Sequence, residues 1–63
     1  MIDRAQSAAR FIATVGSVDT ATYCAANRLS RNAGLYDLKC AERAGLIVRA
    51  WNDARRINVW RLR

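Results

Sequence analysis

The apolar residues of this chain recur with a helical period up to Gly45 and alternate after it, so a helical stretch must give way to paired strands. Beyond the glycine, Leu46-Ile47-Val48-Arg49-Ala50-Trp51 is strand-like and Asn52-Asp53-Ala54-Arg55 has turn chemistry. Arg56-Ile57-Asn58-Val59-Trp60-Arg61-Leu62 then alternates again. The spacing predicts a β-hairpin over residues 46–62. Trp51 and Trp60 are expected to pair across it, with Trp60 and Leu62 on one face and Ile57 and Val59 on the other.

Before Gly45 the pattern predicts three helices. Ala5, Ala8, Ile12 and Val15 stand at helical spacing in a segment from Asp3 to Val15, with Asp3 as N-cap and Gly16 as terminator. Ser17-Val18 form a short extended link. Asp19 or Thr20 caps a second helix running to about Leu29, whose apolar stripe is Ala21, Cys24, Ala25 and Leu29. Ser30 caps a third, over residues 31–44. A chain of 63 residues can bury one thin core, so residues 1–63 are expected to form a single domain. The predicted class is α+β, mostly α: three helices plus a C-terminal β-hairpin.

Eleven basic residues against five acidic ones give a formal charge of +6, which points to a polyanionic partner, nucleic acid first. All the basic residues except Lys39 are arginine. The forked guanidinium suits phosphate and guanine, although a GC-rich genome produces the same bias. With no histidine, and Cys24 and Cys40 as the only cysteines, no zinc site and no cofactor are expected, and both thiols are read as buried and reduced. Paired carboxylates at helical spacing and a phosphate-binding glycine loop are both missing, so no catalysis is expected. No run has the length of a signal peptide or a membrane span, which predicts a cytoplasmic protein with no membrane partner.

The run Leu38-Lys39-Cys40-Ala41-Glu42-Arg43-Ala44-Gly45-Leu46-Ile47 resembles the end of the recognition helix in the ArsR/MarR-type winged-helix transcription regulators. Arg49, the polar turn, Arg55-Arg56 and Val59-Trp60-Arg61-Leu62 are similar to the same family's basic hairpin. The resemblance covers about residues 18 to 62. It departs at Gly34-Leu35, where members carry a β-branched and then a small polar residue, and at Ala41, where leucine is usual. Leu35 is therefore expected to fill the space that Gly34 leaves.

The resemblance implies a winged helix-turn-helix, with the hairpin as wing, that binds double-stranded DNA and regulates transcription. The family's metal sensors cluster cysteines or histidines, and Cys24 alone implies no metal sensing. Long flanking dimerisation helices are missing from the pattern, so a monomer or weak homodimer is expected.

At about 100° per residue, Asn32, Tyr36, Lys39 and Arg43 fall on one side of the third helix, and Gly34, Leu35, Leu38 and Ala41 on the other. The first set suits a major groove: Asn32 to adenine, Lys39 to guanine or phosphate, Tyr36 to phosphate or a thymine methyl. Arg55 and Arg56 at the hairpin tip, with Asn52, suit the minor groove or flanking phosphates. Arg28 and Arg31 are further phosphate candidates. The competing reading is a protein-interaction module of the same fold, an antirepressor or polymerase-binding inhibitor of phage or plasmid type. Basic residues converging on the third helix and hairpin favour DNA, whereas an apolar patch there favours a protein.

Overall fold

The computed structural model describes residues 3–63. Its elements run α1 (Arg4–Val15), β1 (Ser17–Val18), α2 (Thr20–Ala26), α3 (Arg31–Arg43), β2 (Ile47–Asn52) and β3 (Ile57–Leu62). Three helices therefore accompany a three-stranded antiparallel sheet of order β1-β3-β2, the mostly helical α+β class expected from the sequence. The short extended segment Ser17-Val18 is a strand, as its place between the helices leads one to expect. Ser17 pairs with Arg61 and Val18 with Trp60, so β3 is flanked on both sides and becomes the centre of the sheet.

Each helix starts on the cap its sequence offers. The side chains of Asp3, Asp19 and Ser30 accept from the backbone N–H groups of Ala5, Thr22 and Ala33, satisfying donors that a helix start leaves free. Two of the ends are alike. Leu46 N–H donates to the Ala41 carbonyl and Gly45 N–H to Glu42, with Gly45 at φ 77°; this is the Schellman arrangement. At the end of α2, Leu29 N–H donates to Cys24 and Arg28 N–H to Ala25, with Arg28 at φ 54°. The second helix thus stops at Ala26, short of the expected Leu29, because the chain reverses through a left-handed Arg28 where sequence reasoning looks for glycine. The third stops at Arg43, with Ala44 as its cap.

One apolar cluster draws on every element: Ala5, Ala8 and Ile12 from α1, Val18 from β1, Tyr23 from α2, Leu38 and Ala41 from α3, Ile47 from β2 and Trp60 from β3. Two expected stripes are corrected. Val15 is exposed at the end of α1, one turn beyond the last buried residue, Ile12. In α2, Ala21 and Ala25 face water and Tyr23 and Cys24 are buried. A tyrosine ring removes far more apolar area from water than an alanine methyl, and Tyr23 packs edge-on against Phe11 with centroids 5.4 Å apart.

Leu35 does not fill the space beneath Gly34, because Cys24 already does: a methyl group at position 34 would overlap the Cys24 sulfur. Leu35 is instead half-buried at the edge of the core. Both thiols are free, as expected, but only Cys24 is buried; Cys40 is half-exposed.

In the hairpin the turn occupies residues 53–56, one residue later than expected, and Arg56 N–H donates to the Asn52 carbonyl at 2.7 Å. The resulting register sets Trp60 opposite Arg49 and Trp51 opposite Asn58. The expected Trp51–Trp60 pair is therefore not formed. Trp60 is 2% exposed and Trp51 58%. Among the described residues no helix is long and apolar enough to cross a membrane.

Candidate nucleic-acid interface

Helix α3 is held from behind by α1 and α2, with Gly34, Leu38 and Ala41 buried. On the opposite side of the helix, about half a turn of rotation away, Asn32, Tyr36 and Arg43 are exposed and Lys39 is partly so, in the stripe that the spacing predicts. With Leu35 and Cys40 they line a shallow hollow of about 350 Å³. The helix thus presents amide, phenol, ammonium and guanidinium groups on one outward face.

A second hollow, about 410 Å³, lies between the starts of α2 and α3 and the hairpin. Arg31 and Leu35 line one side, Arg49, Asn58 and Trp60 the other, and Asp19 and Thr20 close one end. Trp60 fixes this geometry. Its indole N–H donates to the Thr20 hydroxyl at 3.0 Å, tying β3 to the start of α2. The Arg49 guanidinium lies 5.0 Å and the Lys39 ammonium 6.0 Å from its ring centroid, within cation–π range.

The cations named from sequence differ in how free they are. Arg55 stays largely exposed, but its guanidinium is 3.3 Å from Asp19, the N-cap of α2, an ion pair that links the hairpin tip to the body. Asn52 is half-buried, and its side-chain oxygen accepts from Arg55 N–H at 2.9 Å, which builds the turn. Lys39 lies 3.8 Å from Glu42 one turn along the helix. Arg28, Arg31, Arg43 and Arg56 are exposed, and among the described residues no carboxylate is recorded within 4.0 Å of their guanidinium groups. Among the described residues, Arg28 and Arg56 are also the two non-glycine residues at positive φ, 54° and 57°.

The Asp19 carboxyl is held below its ordinary value, first by hydrogen bonding from Thr22, whose hydroxyl donates at 2.6 Å, with Arg55 adding its charge. It therefore stays ionised, both capping α2 and holding Arg55.

Three exposed residues of these elements, Arg4, Arg49 and Trp51, are not singled out by spacing alone. Arg4, on α1, reaches across to α3, with its guanidinium 5.5 Å from the Tyr36 ring centroid and 3.4 Å from Asp37. From the sequence, Arg49 is one residue of a basic hairpin and Trp51 half of an expected indole pair. The strand register carries the signal for both: counting outward from the turn puts Arg49 and Trp51 on one face with Trp60.

Comparisons with models of protein families, with curated proteins and with solved structures gave no match to this chain.

Proposed function

We propose that the chain is a winged helix-turn-helix domain that binds double-stranded DNA in a sequence-specific manner, as a small cytoplasmic transcription regulator without catalytic chemistry. In this reading α2 and α3 are the helix-turn-helix, α3 enters the major groove and the β2–β3 hairpin is the wing. The observation that carries it is the outward face of α3, where Asn32, Tyr36 and Arg43 are exposed beside Lys39; Arg28, Arg31 and Arg56 are also exposed, with no carboxylate recorded beside them among the described residues. Amide and guanidinium groups at that spacing can reach base edges, while arginines on either side can hold phosphates.

In this reading Asn52 shapes the wing through its bond to Arg55 N–H, and Arg55 and Arg56, both exposed in the turn, meet the minor groove or flanking phosphates.

The protein-docking reading draws support from the exposure of Tyr36 and Trp51, at 59% and 58%. Selection of bound duplexes from a random-sequence pool distinguishes the two. Enrichment of a short shared motif, lost on Asn32→Ala, is expected for DNA reading; a pool that stays random would contradict it.

A further inference from the structure

Trp51 is the most exposed tryptophan the chain could offer a ligand, since Trp60 is buried, and the fold makes no use of its ring in the core. It faces Asn58 across the hairpin and lies on the same side of the sheet as Arg49 and Trp60. That side, through Arg49, Asn58 and Trp60, forms the wall of the hollow opposite Arg31 and Leu35. Moving from the core towards the tip, this face therefore passes from a buried indole, through a guanidinium, to an exposed indole. The Trp51 N–H donates to Asp53 at 3.4 Å, which restrains the ring. Beyond it the turn carries Arg55, anchored to Asp19, and the free Arg56.

We propose that Trp51 is a stacking wedge: it inserts at a base step of duplex DNA at the edge of the segment contacted by α3, unstacking that step and bending the duplex. This deepens the DNA-binding reading and rests on it. The flat indole supplies a surface for a base, and the neighbouring arginines supply the charge that brings a phosphate backbone to it. An apolar wedge gains most at an easily unstacked pyrimidine–purine step, so such a step is expected at the edge of the preferred site.

Stacking releases few counterions, whereas each phosphate contact releases about one, so the two contributions separate by salt. Wild-type protein, Trp51→Ala and Trp51→Phe would be titrated with a duplex carrying a donor and an acceptor dye at its ends, at two salt concentrations, while tryptophan emission is followed in parallel with an unlabelled duplex. The expected result is quenching of tryptophan emission and shortening of the end-to-end distance with wild type. Trp51→Ala should lose both and bind roughly tenfold more weakly at each salt concentration, with an unchanged salt slope. Trp51→Phe should keep most of the affinity and the bend. Equal affinity and equal duplex shape for wild type and Trp51→Ala would overturn the wedge while leaving DNA binding standing. Failure of wild type to bind any duplex would overturn the wedge together with the reading beneath it.

Discussion

Gly34 of α3 lies directly against Cys24 of α2, so close that a methyl group on Gly34 would overlap the cysteine sulfur. With the burial of Leu38 and Ala41 on the same side, this contact turns the opposite face of α3 outward. Glycine is a poor helix former, and Gly→Ala inside an exposed helix ordinarily stabilises by about 1 kcal/mol. Here Gly34→Ala should instead destabilise, by about 1–3 kcal/mol, because the buried sulfur must be displaced. The sign should invert in a Cys24→Ala background, where the new methyl group meets only ordinary van der Waals neighbours. Denaturant unfolding of the four proteins in this cycle checks it; a stabilising Gly34→Ala in the wild-type background would contradict the contact.

Arg28 and Arg56 occupy left-handed backbone positions that glycine adopts more readily. Arg28→Gly and Arg56→Gly should each raise stability by about 1 kcal/mol, a few degrees in Tm for a domain of this size. Each should at the same time weaken DNA binding and lower its salt slope by about one unit. Thermal unfolding and binding measured on the same samples test the pair of effects. Gains in stability with no loss of affinity would remove these arginines from the interface.

The hydrogen bonds that Thr22 donates to the Asp19 carboxylate, with Arg55 adding its charge, make the fold sensitive to acid. The Asp19 carboxyl is held below its ordinary value of 3.8, so its contribution to stability is present above that pH and is lost as the pH falls through the lower, folded value. Asp19→Asn keeps a cap-forming side chain but removes the charge. Its Tm should fall less on acidification than that of wild type. Superimposable acid profiles would contradict the assignment.

Tyr23 sets the alkaline limit. Burial pushes its hydroxyl up to about 12, with the nearby Asp37 carboxylate adding to the effect. The neutral form is thus favoured in the folded state, so the stabilisation is complete below 10.0 and is lost as the pH rises towards about 12. Ultraviolet titration of tyrosinate should show one tyrosine ionising late and together with unfolding. Tyr23→Phe should remove that late phase.

Local chemistry made much of this fold legible. The caps Asp3, Asp19 and Ser30, the terminators Gly16 and Gly45, and the change of period after Gly45 each act over a few residues, and each lies where it was expected. Features set by tertiary fit were not legible. The end of α2 depends on a left-handed arginine that no propensity favours, and the inward turn of Tyr23 depends on Phe11 being there to meet it. The outward stripe of α3 was readable because its period is intrinsic to a helix. The placing of Trp51 opposite Asn58 and the contact of Arg55 with Asp19 were not, since they follow from the hairpin register and from an ion pair 36 residues apart in sequence.

The central claim, that the α3 face and the hairpin together dock on duplex DNA, is tested most directly by fluorescence anisotropy of a labelled duplex titrated with wild-type protein and Arg43→Ala at two salt concentrations. Binding by wild type should be tight at low salt and fall steeply as salt rises, and Arg43→Ala should bind more weakly with a slope shallower by about one unit. Absence of binding at low salt, in a chain of formal charge +6, would contradict the account and leave the exposed Tyr36 and Trp51 as a surface for a protein partner.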